Sequence, residues 1–228
     1  MNSVVRRLRF RVTLFLVAVL FGFLGLNAIY KAANTIRYLD AIEAERDQWQ
    51  RPSDVIAALH LSAGSVVADV GSGAGYFALK LSEQVGPAGE VLAIDLRQLP
   101  LLFLRIRAFL RSEHNIRVGL GDPNDPELPA AAVDAVLVAN TFHEFANSAL
   151  MLNHLRVSLR PGGRLIILDR SAAGSEPTGD ARDHVISPDA VRNQLLANGW
   201  EILDQDDHFI TRPGGEVWWL LVATTDQS

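Results

Sequence analysis

Asp69 stands two residues before Gly71, and Gly73 and Gly75 follow at alternate positions. The segment VVADVGSGAGYFALKL (66–81) thus passes from an apolar run through a glycine-rich turn into helical spacing. A strand, a tight turn and a helix start in that order gather a carboxylate and several backbone N–H groups at one sheet edge. Open α/β sheets bind nucleotide-like ligands at that edge. The dinucleotide fingerprint G-x-G-x-x-G needs its third glycine where Tyr76 stands. A P-loop is excluded because no Gly-Lys-Ser/Thr follows. Asp69, at the end of its strand, would repel a pyrophosphate and attract a cation. The expected ligand is nucleotide-like and positively charged, with no pyrophosphate.

A second group of chemical residues ends a later apolar run, in NTFHEF (140–145). Asn140 is placed to line a ligand, and His143 and Glu144 follow at the rim. A histidine titrates near neutrality and is suited to take a proton from an acceptor. The competing reading makes His143 a packing or capping residue and Glu144 a solvated one. His184 falls in a long loop expected to cover an acceptor, and His208 is expected on the surface. Asp169 and Asp183 could join His143 and His184 around a metal, but no compact ligand spacing supports that, and no metal is expected. The absence of cysteine excludes thiol nucleophiles and disulfides.

The elements that must position these groups alternate. Strands are expected at 65–70, 90–96, 115–122, 132–140 and 164–170, with helices at 75–85 and 98–111 and over SALMLNHLRVSL. Ser53 is expected to cap a first helix. A helix from Ser187 then leads to two strands, WEILDQDDHF and EVWWLLVAT, separated only by a short turn, so they should pair antiparallel. Right-handed crossovers give a Rossmann-like, doubly wound, seven-stranded sheet with an antiparallel terminal hairpin. On the helix at 98–111, the largest apolar arc is expected to face the core: Leu99, Leu102, Phe103, Ile106, Phe109 and Leu110. Leu101, Leu104 and Ala108 would then share an outer face with Arg105, Arg107 and Arg111.

The segment ADVGSGAGYF resembles the first motif of class I S-adenosylmethionine-dependent methyltransferases. The resemblance continues over about residues 50–223, through VLAID, GD at 121–122, VDAVLVANTFHEF and LRPGGRLIILD. It implies S-adenosylmethionine as cofactor, a cation without phosphate. The implied cofactor residues are Asp69, Gly71, Ser72, Gly73 and Gly75 in the turn, Asp95 and Leu96 at the ribose, Asp122 at the adenine, and Asn140. Gly71 and Gly73 are expected to admit the cofactor to the backbone without a Cβ in the way. The segment GDPNDPELP is longer than the family's usual form, so Asp125 competes with Asp122 for the adenine; Asp122 is preferred. His143 and Glu144 are the implied catalytic candidates. A nicotinamide-dependent oxidoreductase is disfavoured by Tyr76 and Asp69, and a non-catalytic cofactor-binding or structural domain stays open.

The first residues differ from the rest. Arg6, Arg7, Arg9 and Arg11 precede Val12–Tyr30, a run without charge and about long enough to cross ~30 Å of hydrocarbon. A membrane anchor is the expectation, with a cleaved signal peptide or a core helix as alternatives. Residues 31–52 are expected to be a helical linker ended by Pro52, and 53–228 the methyltransferase domain. The expected partners are a membrane, through the N-terminal helix, and a small or lipid-like acceptor. A net charge of −5 gives no footprint for nucleic acid. Flanking arginines mildly favour a periplasmic catalytic domain, whereas cofactor supply needs a cytoplasmic one.

Overall fold

The computed structural model describes residues 2–171 and 185–225, with side chains at 15, 16 and from 19 onward. Two compact units are formed, Met1–Ala44 and Glu45–Ser228. Helix α1 (Asn2–Trp49) runs unbroken, so the apolar segment and the charged extension after it are one helix. Phe21, Phe23, Leu26 and Ile29 on it are exposed. Among the described residues it is the one helix long and apolar enough to cross a membrane, with a mean hydropathy of 1.2 in its apolar stretch.

Pro52 does not close that helix. The helix stops at Trp49, Arg51 adopts a left-handed conformation (φ 53°), and Pro52 opens the short helix α2 (Pro52–Ala58). Proline suits the first turn because the N–H it lacks would have no intrahelical partner there. Ser53 consequently lies inside α2 and is not its cap.

The second unit is built on a mixed seven-stranded sheet in the order β3-β2-β1-β4-β5-β7-β6. Its strands are β1 (Val66–Val70), β2 (Glu90–Asp95), β3 (Ile116–Leu120), β4 (Val133–Ala139), β5 (Leu159–Ser171), β6 (Trp200–Thr211) and β7 (Val217–Thr225). The first five are parallel, and β7 pairs antiparallel with both β5 and β6, as the short turn between the last two strands requires. The RPGG segment is no separate turn but an irregularity within β5, where Val133 faces Leu159 and Ala135 faces Arg164.

Alternate residues of the strands feed two cores. Helices α3 (Tyr76–Val85) and α4 (Gln98–Leu110) close one face over Val67, Val91, Leu137 and Ile166. Helices α5 (Ser148–Ser158) and α6 (Pro188–Ala197) close the other over Val70, Val136, Leu165 and Ile167. Residues 165–168 thus split between the two, the period of two expected of a strand buried on both sides.

Helix α4 turns the other way round from the sequence expectation. Leu101, Leu104, Arg107 and Ala108 are buried, whereas Leu99, Leu102, Phe109 and Leu110 face outward. Both arcs are apolar, so periodicity alone favours the larger. Packing favours the smaller. Leu104 lies where a Cβ on Gly75 would stand, and Arg107 donates to the Ala74 carbonyl oxygen at 2.6 Å.

Candidate active site

The carboxyl ends of β1, β2 and β4 meet around the glycine turn. Gly71 and Ser72 donate from their backbone N–H groups to the Ile94 carbonyl at 2.8 and 2.9 Å, and Gly73 N–H donates to Asp95 Oδ2 at 2.8 Å. A Cβ at Gly71 would run into the Thr141 side chain, and one at Gly75 into Leu104. At Gly73 it would meet nothing within 4 Å. The expectation that Gly71 keeps a path clear for a ligand is therefore replaced by a closer cause, the approach of the β4 loop; open space is left at Gly73 alone of the three.

Several buried polar atoms around this turn have no hydrogen-bond partner among the described residues: Asp69 Oδ2, Ser72 Oγ and Asn140 Oδ1. Register brings them together, since Val70 pairs with Val138 and the two chains emerge side by side. Asn140 reaches its position in a left-handed conformation (φ 55°), its N–H bonded to the Leu168 carbonyl. Burial pushes the Asp69 carboxyl up to about 7, with nearby Asp95 adding to the rise while a backbone hydrogen bond from Ala78 and the charge of Arg46 oppose it. Arg46 itself donates to Gln50 Oε1 at 2.7 Å, and Gln50 is fully buried with its Nε2 unpaired. Uncompensated buried polar atoms are costly, and four near one edge mark a place for a polar ligand.

Asp95 is 5% exposed. Its carboxylate accepts from Gly73 N–H and, at 2.8 Å, from Arg97 N–H, with the Arg97 guanidinium 3.3 Å away. Oδ2 keeps a further lone pair, while Oδ1 already accepts from both the backbone N–H and the Nε of Arg97. Leu96, next along, is 52% exposed. Asp122 and Asp125 bridge one another through their backbones. Asp125 faces His154 of α5 at 3.5 Å, while Asp122 is exposed and accepts from Asn124 N–H.

A short 3₁₀ turn (Phe142–Glu144) follows β4 and carries His143. Its Nδ1 lies 2.9 and 3.0 Å from the two Asp169 oxygens, and its backbone N–H donates to Asp169 Oδ2. The His143 side chain is 2% exposed and that of Asp169 0%. Glu144 Oε1 stands 3.8 Å from Nε2 and is half exposed. The ring is thus held between two carboxylates, Asp169 on Nδ1 and Glu144 beside the buried Nε2.

Residues 61–201 match the family model described as "Methyltransferase domain". The chain belongs to this family. A crystal structure of an S-adenosylmethionine-dependent methyltransferase from Aquifex aeolicus superposes with a TM-score of 0.69 at 26% identity, covering 83% of this chain and 96% of that one. Nocamycin O-methyltransferase of Saccharothrix syringae is 29% identical over 53% of this chain and 41% of its own length. A ubiquinone/menaquinone biosynthesis C-methyltransferase of Pseudomonas putida is 30% identical over 53% and 48%. The chain spans about half the length of the curated relatives it matches. Its second unit has the Rossmann-like class I fold of S-adenosylmethionine-dependent methyltransferases.

The residues present fit that cofactor. The space at Gly73 and the unpaired atoms of Asp69, Ser72 and Asn140 offer room and polarity to a cationic nucleoside. Three residues beside the candidate site have no counterpart in the sequence expectations. Arg107 was hidden by the wrong choice of α4 face, and Gln50 by its place in the expected linker. Asp169 was noticed only as a metal candidate; its spacing of 26 residues from His143 gives no local signal, and only the β4–β5 register joins them. His208 is exposed on β6, as expected. Asp183 and His184 lie outside the described residues.

Proposed function

We propose that this methyltransferase holds S-adenosylmethionine across the carboxyl ends of β1, β2 and β4 and methylates a small or lipid-like acceptor, with His143 as general base. Bound there, the cofactor supplies a methyl group already activated by its sulfonium. Asp69 offers a carboxylate to the cationic end, and Ser72, Asn140 and the glycine turn supply polar and backbone contacts. Asp95 Oδ2 has a lone pair left for a ribose hydroxyl, a charge-assisted pairing. Leu96 gives an apolar contact, and Asp122, with Asp125 turned to His154, is the better placed carboxylate for an amino group. His143 Nε2 receives the acceptor's proton, Asp169 holds the imidazole in position, and Glu144 adds negative charge beside it.

The observation that carries this reading is the buried His143–Asp169 pair, one strand from the unpaired atoms of the glycine turn. In the same reading, residues 1–30 anchor the chain, 31–52 link, and 53–228 carry catalysis, with Asp47 and Trp49 of the linker packed on the catalytic part. Asp47 bonds Tyr76 and Lys80, and Trp49 packs against Trp218 with the rings tilted by 54° and their centroids 5.6 Å apart. The apolar run on α1 supports an acceptor found in or near a bilayer, as does the quinone-biosynthesis relative.

The test incubates the full chain with tritiated S-adenosylmethionine and membrane lipid extract, reading label in the organic phase. Label with wild type but not with His143→Ala supports both acceptor class and base. Calorimetric binding of the cofactor with no label in any lipid fraction overturns the lipid-like acceptor. A compartment-specific reporter fused after Ser228 reads the side. An extracytoplasmic result, away from cofactor supply, would overturn catalysis in place.

A further inference from the structure

Helix α4 carries most of its apolar residues outward. Leu99, Leu102, Phe109 and Leu110 are 64%, 50%, 77% and 64% exposed, and Phe103 and Ile106 lie half-buried among them. Residues spaced by three, four and seven share one side of a helix, so the six form a single stripe. Isolated exposed apolar residues need no explanation, but a continuous stripe marks an interaction surface. Basic residues flank it: Arg97, Arg105 and Arg111 are exposed, and no acidic residue occurs between 97 and 112 in a chain of net charge −5. Arg97 is drawn toward Asp95, while Arg105 donates to the Val118 carbonyl, which leaves its charge unneutralised.

We propose that this face of α4 docks on an anionic bilayer, with the stripe at the acyl boundary and Arg105 among headgroup phosphates. The inference rests on the membrane-anchored reading above and deepens it. Two observations select a bilayer over a protein partner. The stripe lies on a helix whose own sequence is basic and free of acidic residues, the pattern of interfacial helices. The same chain also carries α1, with its membrane-length apolar run. Because α4 begins just after Asp95, docking sets the edge that gathers the cofactor residues close to the lipid, where an apolar acceptor is concentrated.

The chain contains no cysteine, so Leu20→Cys, Phe109→Cys and Arg192→Cys each place a single environment-sensitive fluorophore on the full-length protein. Arg192 is exposed on α6, on the opposite face of the sheet, and serves as the aqueous reference. The labelled proteins are reconstituted into vesicles of phosphatidylcholine with and without phosphatidylglycerol, and quenching by acrylamide is measured. At 109 the expected result is a blue shift and loss of quenching in phosphatidylglycerol vesicles, weaker in phosphatidylcholine alone and in high salt, with 192 quenched throughout. Leu102→Asp, at an exposed position, should abolish that protection without unfolding the chain. A label at 109 as quenchable as at 192 in both vesicles overturns the docking, and protection at 20 in the same sample shows that the anchor reading survives. Protection at 109 with 20 quenched keeps the docking and removes the anchor. Protection at 109 that is equal in both vesicles and rises with the protein-to-lipid ratio assigns the face to a contact between proteins and overturns the proposal.

Discussion

His143 Nδ1 lies 2.9 Å from Asp169 Oδ1 and 3.0 Å from Oδ2, in a pair that β4 and β5 bury side by side. Because Asp169 also accepts from the backbone N–H groups of His143 and Arg170, it fixes both the loop and the ring.

Asp169→Asn should therefore impair orientation more than folding. An amide can turn its NH₂ toward Nδ1 and stabilise the wrong tautomer, with the proton on Nε2. We expect turnover to fall by about 10²-fold or more, the scale of general-base catalysis, with cofactor affinity kept. His143→Ala should fall by a similar factor, and the double variant little further. Single-turnover transfer together with calorimetry separates the two quantities. A loss of cofactor binding equal to the loss of turnover would make the pair structural.

Asp95→Ala is expected to weaken S-adenosylmethionine binding by roughly 1.5–3 kcal/mol, the cost of hydrogen bonds to a charged group. The same carboxylate ties down Gly73 and Arg97, so Asp95→Asn serves as the milder control, retaining one acceptor oxygen. Unchanged affinity in the alanine variant by calorimetric titration would place the ribose elsewhere.

The succession of strands along the chain, the terminal hairpin and the glycine turn were legible because each depends on local signals: period-two apolar runs, Gly-Pro stops and a turn too short for a crossover. The outward face of α4 was not, because two apolar arcs compete on one helix. Their choice rests on Gly75, which makes room for Leu104, and on the Ala74 carbonyl, which receives Arg107. The Pro52 boundary misled because proline both ends and begins helices. Asp169 was legible only as a possible co-ligand of His143, not as its hydrogen-bond partner, because sheet register, not sequence proximity, brings them together.

Asp69 predicts a pH dependence. Its folded value of about 7 exceeds the ordinary 3.8, chiefly through burial. Between those values the folded chain binds the extra proton, so the stability it contributes is fully present below the ordinary value and is lost as pH rises through about 7. Cofactor-free protein should lose on the order of a few kcal/mol across that window, and Asp69→Asn should flatten the profile. A cationic ligand favours the ionised carboxylate, so cofactor binding at about pH 6 should release about one proton, and at about pH 8 far less. Calorimetry in buffers of different ionisation enthalpy counts it. No proton release at the lower pH would remove Asp69 from contact with the cation.

The three turn glycines offer the sharpest separation of folding from binding. Gly71 (φ 83°) and Gly75 (φ 96°) combine a left-handed backbone with neighbours that already fill the Cβ position. Alanine there should cost more than the ~1–2 kcal/mol of backbone strain alone, and should lower the melting temperature clearly. Gly73 is also left-handed, at 54°, but opens on empty space, so Gly73→Ala should pay only about 1 kcal/mol. If that space receives the cofactor, the methyl group costs binding instead: affinity should drop by about tenfold or more, about 1.4 kcal/mol, in a protein that melts nearly normally. Melting curves and titration on the three variants decide the matter. A Gly73→Ala protein that binds as wild type would mean the open space beside Asp95 is not where the ligand lies, because no fold defect would be present to mask the effect.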